Sequence, residues 1–159
     1  MEIQQITIEQ TDLVYRLVQQ TITAVYPSYY FPEAVEFFCR IHNRGAIAKD
    51  ILEGAVYGLF QGNDLLGTGS YHDGHIARLF VAPDLQGQGI GGKLLEALER
   101  RIARKRDRAV LDASKPAEEF YRRRGYHIIG QKQLTLASGA VLAWNVMEKQ
   151  LCSSPREKE

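Results

Sequence analysis

Four glycines within six positions are the residues of this chain with the clearest chemical potential. Gly87, Gly89, Gly91 and Gly92 follow the apolar segment "LFVAP" and precede a run of apolar residues at helical spacing. N–H groups at the start of a helix lack a partner within the helix, and the helix dipole favours negative charge there. Glycine permits positive φ and lets a ligand approach the backbone without meeting a Cβ. The pattern therefore predicts a backbone site for an anion.

The same glycines fit a dinucleotide-binding pattern. Gly87, Gly89 and Gly92 form G-x-G-x-x-G, and Asp112 lies 20 residues beyond Gly92, where such a fold places its ribose-binding acid. Two features oppose this interpretation. Residues 82–86 separate the strand from the first glycine, and the 47 residues after Asp112 are too few for the second half of a doubly wound sheet. A small dinucleotide-binding protein remains an alternative hypothesis.

A phosphate-loop pattern, G-x-x-x-x-G-K-[ST], matches Gly87, Gly92 and Lys93 but fails at its last position. That position holds Leu94, which has no hydroxyl to bind magnesium. The phosphate-loop interpretation therefore lacks the chemistry that it needs.

A third pattern, Q/R-x-x-G-x-G/A, matches Gln86, Gly89 and Gly91. Further along, "ASKPAEEFYRRRGY" contains a second pattern, A-x-x-F-Y-x-x-x-G-[FY], formed by Ala117, Phe120, Tyr121, Gly125 and Tyr126. With "ARLFVAPDLQGQGIGGKLL", these segments resemble the GNAT superfamily of acetyl-CoA-dependent N-acetyltransferases. The resemblance extends from about residue 75 to residue 130. Two motifs in the family's order, separated by a strand, are more specific than either motif alone.

The resemblance implies that acetyl-CoA is a cosubstrate and that the loop at residues 86–92 cradles its pyrophosphate, with no metal involved. It also implies that N–H groups near Val81 stabilise the acetyl oxygen. Ser114 occupies a position where many relatives carry an asparagine that binds the pantetheine arm. The cofactor-binding residues implied in this way are Phe80, Val81, Gln86, Gly87, Gln88, Gly89, Ile90, Gly91, Gly92, Lys93 and Ser114.

The resemblance further implies direct acetyl transfer to an amine of a small molecule or peptide. Tyr121 occupies the position of the family's acid, which protonates the departing thiolate. His75 aligns with a glutamate that relatives use as a base, and histidine can accept a proton near neutral pH; His72 and Asp73 are alternatives. A covalent route through Cys39 is disfavoured because a free cysteine on an apolar helix face is usually a small hydrophobe. A non-catalytic acyl-CoA sensor is the alternative from another functional class.

Strands and helices at regular intervals must hold these residues in place. Strands are predicted near Ile3 and in "AVYGLF", "LLGTGSYH", "HIARLFVAP" and "AVLDAS", with two more around the turn at residues 138–139. Helices are predicted after Thr7, from Pro32, after the glycines and in "PAEEFYRRRGY". Adjacent strands followed by alternation with helices predict an α/β fold with a mixed sheet. The GNAT resemblance makes this a mostly antiparallel central sheet flanked by helices.

Six aromatic residues surround the first predicted loop between helices, and in similar proteins this region forms a wall of the acceptor site. Aromatic faces can hold a cationic amine, and ordinary helix packing is the alternative explanation. The six residues are Tyr26, Tyr29, Tyr30, Phe31, Phe37 and Phe38.

Composition describes an ordinary globular chain of 159 residues, 45% hydrophobic and 25% charged. We expect one acetyltransferase domain over residues 1–150 and a disordered tail over 151–159. A net charge of +1 gives no overall attraction to nucleic acid or membranes. The N-terminus lacks the apolar core of a signal peptide, which favours a cytoplasmic location. Homodimers are common among similar proteins, so a homodimer is among the expected assemblies.

Overall fold

The computed structural model of the protein describes residues 1–152. Its centre is a seven-stranded sheet in the order β1-β2-β3-β4-β5-β7-β6. The strands are Glu2–Gln5 (β1), Val56–Gln61 (β2), Asp64–His72 (β3), His75–Val81 (β4), Arg108–Ala113 (β5), His127–Thr135 (β6) and Val141–Gln150 (β7). The helices are Thr11–Val25 (α1), Pro32–Ile41 (α2), Arg44–Leu52 (α3), Ile90–Ile102 (α4) and Glu118–Arg123 (α5).

One pair of strands differs from all the others. Neighbouring strands are antiparallel except β4 and β5, which run parallel. These two pair through residues 75–76 at the beginning of β4 and residues 110–111 in the middle of β5. β4 continues to Val81 and β5 to Ala113 without further pairing between them. The sheet therefore opens along the second half of β4.

A bulge in β4 accompanies this opening. Thr68 pairs with Phe80 and Ser70 pairs with Ala77, so β4 carries one more residue than β3 between the two pairs. Within the bulge, Arg78 has a φ of +47°, in the left-handed region that residues other than glycine rarely adopt. A bulge bends its strand and increases the local twist. This bend is consistent with the second half of β4 turning away from β5.

Hydrophobic clusters cover both faces of the sheet. One cluster joins α1, α2 and α3 to the sheet, and a second joins α4 and α5 to it. Leu142 belongs to the first cluster and Met147 to the second. Because they lie five positions apart on β7, and side chains alternate along a strand, the two clusters occupy opposite faces. The helices therefore enclose the sheet on two sides.

The mixed, mostly antiparallel sheet flanked by helices confirms the fold class that we predict from the sequence. It also opposes the dinucleotide alternative, because a doubly wound fold needs a mostly parallel sheet and here one pair of strands is parallel. The sequence patterns miss α3. Its start is marked by Asn43, whose side chain accepts a hydrogen bond from the Ala46 N–H at 2.9 Å, a usual N-cap contact.

The predicted tail begins inside the described chain. Leu151 is buried, and its N–H donates to the Asp107 carbonyl at 2.7 Å. Cys152 is exposed, and residues 153–159 lie outside the described part. Among residues 1–152, no helix is both long enough and apolar enough to cross a membrane.

Close packing of α4 on β3 makes Gly67 a test of this architecture. An added Cβ would lie 2.8 Å from Leu94 Cδ1 and 3.1 Å from the Phe80 carbonyl oxygen. Since Leu94 is fully buried, we expect Gly67→Ala to lower the free energy of unfolding by about 1–3 kcal/mol, measured by urea denaturation. Gly130→Ala is the matched control, because nothing lies within 4 Å of its added Cβ. Equal stability of the two variants would contradict this packing.

Candidate active site

Two glycines of the loop before α4 adopt backbone conformations that favour glycine. Gly87 has a φ of +79° and Gly89 a φ of +83°, and an added Cβ at either position would meet open space. Gly89 is the N-cap residue of α4, and it has no side chain that could accept a hydrogen bond from the first N–H groups of the helix. The first helical bond runs from the Lys93 N–H to the Gly89 carbonyl, so the N–H groups of residues 90–92 have no partner within the helix. This end of α4 therefore offers several donors.

The other two glycines allow close packing against α5. A Cβ on Gly91 would lie 3.2 Å from the Phe120 ring, and a Cβ on Gly92 would lie 3.0 Å from the Arg124 guanidinium. The four glycines thus serve two purposes: two provide positive φ, and two let the start of α4 approach its neighbour.

A cleft of about 430 Å³ lies between the glycine loop, β4 and α5. Gln88 and Lys93 do not line it. It brings together nine of the predicted cofactor-binding residues, namely Phe80, Val81, Gln86, Gly87, Gly89, Ile90, Gly91, Gly92 and Ser114.

Two arginines that the sequence analysis did not select also line this cleft. Arg123 forms an ion pair with Glu119 at 3.2 Å. Arg124 lies over the Phe120 ring, 3.8 Å from its centroid, and donates to the Phe120 carbonyl at 3.2 Å. These contacts hold cationic groups beside the N-terminus of α4, where an anion would bind. Their only sequence signal is the run "RRR" between the Phe-Tyr pair and the glycine of the second motif.

The backbone of Val81 is directed away from β3. Val81 lies opposite Gly67 on β3, and the Ala82 N–H donates to the Leu66 carbonyl at 2.9 Å. In an antiparallel pair this bond flanks a non-hydrogen-bonded position, so Val81 and Gly67 make no backbone hydrogen bonds to each other. The N–H and carbonyl of Val81 therefore point towards the open side of β4. The carbonyl accepts from the Thr21 hydroxyl and from the Gln86 side-chain amide, both at 3.3 Å. Gln86 thus braces the glycine loop against β4.

Tyr121 lies at the boundary between this cleft and a second cavity, because it lines both. Its side chain is buried, and its ring contacts those of Phe120 and Tyr126 with centroids 5.2 Å and 5.6 Å apart. Burial raises the pKa of the Tyr121 phenol above its ordinary value, and the neighbouring Tyr26 raises it further. The hydroxyl therefore stays protonated near neutral pH and carries a proton.

The second cavity has a volume of about 260 Å³ and lies between α2, β4 and β5. Its walls are largely aromatic. Four of the six aromatic residues singled out in the sequence line it, whereas Tyr29 and Phe31 are exposed. The aromatic lining residues are Tyr26, Tyr30, Phe37, Phe38, Phe80, Tyr121 and Trp144.

His75 lines the second cavity beside a carboxylate. Its Nε2 lies 3.6 Å from Asp112 Oδ2, and the other oxygen of Asp112 lies 3.6 Å from Lys132 Nζ. Asp112 thus contacts a histidine and a lysine. By contrast, His72 lies outside both cavities and pairs with Glu53 at 3.3 Å.

A second histidine at this cavity was not anticipated from the sequence. Arg78 Nε donates to His42 Nδ1 at 3.0 Å, and Arg78 Nη1 forms an ion pair with Asp50. Burial lowers the pKa of His42 to about 4, and the charge of Arg78 acts in the same direction. His42 is therefore neutral near pH 7. A sequence signal existed for Arg78, a lone charge in an otherwise apolar stretch of strand.

Cys39 is not among the residues that line either cavity. Burial raises the pKa of its thiol, and Glu36 raises it further, which disfavours the nucleophilic thiolate. Within residues 1–152, no three His, Cys, Asp or Glu side chains form a group that could hold a metal ion.

The family model of the acetyltransferase (GNAT) domain matches residues 27–139. This chain belongs to the GNAT acetyltransferase family. It is similar to the crystal structure of a GCN5-related N-acetyltransferase from Rhodopseudomonas palustris, with a TM-score of 0.85 and 25% identity over 94% of this chain and 95% of that chain. No curated protein sequence matches it.

Two more distant structures share the fold of this acetyltransferase. The PaiA N-acetyltransferase of Thermoplasma acidophilum, solved with coenzyme A, has a TM-score of 0.74 and 18% identity, covering 94% of this chain and 98% of that one. An aminoglycoside 6′-N-acetyltransferase, also complexed with coenzyme A, has a TM-score of 0.65 and 17% identity, covering 98% and 99%.

The buried His42 should make the stability of this acetyltransferase depend on pH. Its pKa is about 4 in the fold and about 6.5 in an unfolded chain. The unfolded chain therefore binds a proton more tightly, and stability should fall as the pH drops from about 6.5 towards 4, by about 3 kcal/mol from this residue. Urea denaturation at pH 7 and pH 4 measures the change.

We expect His42→Gln, which can still accept from Arg78, to lack this contribution and to lose less stability between the two pH values than the wild type. His127→Gln removes an exposed histidine on β6 and should behave like the wild type. Parallel losses in the wild type and His42→Gln would contradict the assignment.

Proposed function

We propose that this acetyltransferase moves an acetyl group from acetyl-CoA directly to an amine of a small molecule or peptide. The observation that carries the proposal is Tyr121, which lines both the glycine-loop cleft and the aromatic cavity. On this view the cleft holds the donor and the cavity holds the acceptor. We also propose the cytoplasm as its location.

The described residues suit a coenzyme A thioester. Its pyrophosphate needs N–H donors and positive charge, which residues 90–92 and the neighbouring Arg124 can provide. Its narrow pantetheine arm would enter where β4 and β5 separate, beside the outward-pointing backbone of Val81. Ser114 lines the cleft together with Tyr26. When bound, acetyl-CoA supplies an activated acyl group with a thiolate leaving group.

Three residues then carry out the two proton transfers of the reaction and stabilise the negative charge that develops. His75, oriented by Asp112, accepts the proton that the amine loses as its nitrogen bonds to the acetyl carbon. The Val81 N–H donates to the acetyl oxygen as negative charge develops there. As the carbon–sulfur bond breaks, Tyr121 gives its proton to the sulfur and regains one from solvent. The products are an N-acetylated amine and free coenzyme A.

His42 is excluded as the base by its own contacts. Its Nδ1 accepts from Arg78, and its low pKa leaves it a poor proton acceptor at neutral pH. This leaves His75 as the histidine of the second cavity that is free to take a proton. A non-catalytic acyl-CoA sensor would need the same cleft but not this pair of histidine and tyrosine.

Replacing Tyr121 tests the acid. We expect Tyr121→Phe to lower kcat about 10²–10⁴-fold, the usual contribution of a positioned acid, because the ring packing is kept and the proton is lost. Thiol release from acetyl-CoA in the presence of an amine measures the rate. Acetyl-CoA, and not NAD, should raise the melting temperature of the wild type and the variant alike. Unchanged turnover would remove Tyr121 from the mechanism, and stabilisation by NAD alone would overturn the cofactor.

Replacing His75 tests the base. We expect His75→Gln to lower kcat at pH 7 by about 10²-fold or more, and to lose less activity at higher pH, where more of the amine is already neutral. His72→Gln is the matched control, since His72 lies on the same hairpin but outside both cavities. A variant of His75 with the wild-type pH–rate profile, or a larger loss in His72→Gln, would rule out His75 as the base.

A further inference from the structure

The cavity beside Tyr121 has rigid, flat walls. Tyr26 and Phe38 meet edge to face with centroids 5.0 Å apart, Tyr30 and Phe38 are also 5.0 Å apart, and Tyr26 and Tyr30 are 5.4 Å apart. The Tyr30 hydroxyl accepts from the Lys115 N–H at 2.7 Å, which ties this aromatic group to the turn that precedes α5. These three rings offer their faces and edges to a ligand.

Charge in this cavity is mostly compensated. Arg78 is paired with Asp50, and Asp112, which lies at the side of His75, also faces Lys132. Among the described residues that line the cavity, Asp112 is the one with a carboxylate. A ligand with several positive charges would need several such groups to replace its water. The lining therefore disfavours polyamines and aminoglycosides as acceptors.

His42 supplies a polar group of defined direction. Because an arginine nitrogen always donates, the contact with Arg78 Nε requires an unprotonated Nδ1 on His42. A neutral imidazole then carries its hydrogen on Nε2, which makes this nitrogen a donor and not an acceptor. The His42 ring meets Phe80 edge to face at 5.6 Å, so it belongs to the same wall as the aromatic side chains.

The backbone of Arg78 supports a functional role for this contact. Its φ of +47° is one of two left-handed values at non-glycine residues among residues 1–152. Such strained conformations tend to cluster at functional sites. Here the strained residue directs its guanidinium at both His42 and Asp50, which fixes the tautomer of a histidine that lines the acceptor cavity.

We propose that the acceptor is a small monoamine with a flat apolar body and one hydrogen-bond-accepting group, and that His42 selects it by donating its Nε2 hydrogen to that group. This inference rests on the proposed function, since it assigns the acceptor cavity of the same reaction. The amine would lie near Tyr121 and His75, and the apolar body would lie among the rings of Tyr26, Tyr30 and Phe38.

Isosteric amines test the role of His42. Benzylamine and the three aminomethylpyridine isomers have the same shape, but each pyridine carries an acceptor nitrogen in place of one C–H group. We expect at least one isomer to exceed benzylamine about tenfold in kcat/KM with the wild type, the effect of one good hydrogen bond. In His42→Phe this ratio should fall to about one. In His42→Gln, which can accept from Arg78 and still donate, the preference should be partly retained.

Polycationic amines test the substrate class. Spermidine and kanamycin should give kcat/KM values below those of benzylamine in the same thiol-release assay. A higher value for either polycation, no pyridine preference in the wild type, or an unchanged preference in His42→Phe would overturn the inference. Acetyl-CoA should still raise the melting temperature of every variant, which shows that the variants fold.

Failure of the proposed function has a different signature. In that case acetyl-CoA would not stabilise the protein, or no amine of either class would cause thiol release. That result would remove the acceptor assignment together with the reaction. Turnover of polycations alone would leave the reaction in place and overturn the monoamine class.

Discussion

The separation of β4 from β5 is the constraint on which the rest of the site depends. A continuous sheet would satisfy the edge of β4 with backbone hydrogen bonds and leave no room for a ligand. Here the two strands pair over two residues and then part, and the bulge at Arg78 lies just beyond that point. The unpaired edge of β4, the glycine loop that follows β4 and the two cavities all lie beside the gap between these two strands.

The same bulge affects residues at both cavities. Arg78, which lies within the bulge, turns its side chain towards His42 and Asp50 beside the second cavity. Three positions further on, Val81 directs its N–H and carbonyl towards the open side of β4. An extra residue in a strand re-aims the side chains around it. Backbone geometry at one position therefore affects the walls of both the cleft and the second cavity.

Much of the glycine-loop cleft was predictable from local sequence, because it is made largely of contiguous backbone. The glycine loop and the later motif lie within short segments whose residue types determine their φ angles and close contacts, so fold class and family follow from them. The second cavity is different. His42 and Arg78 line it, and Asp50 pairs with Arg78. These three residues come from separate segments, and their proximity results from tertiary packing. Helix α3, which carries Asp50, was missed because its only clear signal is the cap at Asn43.

Burial acts on two ionisable residues that line the second cavity. The Tyr121 phenol is deeply buried, which raises its pKa and keeps it protonated. The imidazole of His42 is also removed from water, but because its charged form is the protonated one, burial lowers its pKa and keeps it neutral. The side chain of His75, by contrast, remains 42% exposed beside Asp112. One physical effect, desolvation, thus favours the neutral form of both the Tyr121 phenol and the His42 imidazole.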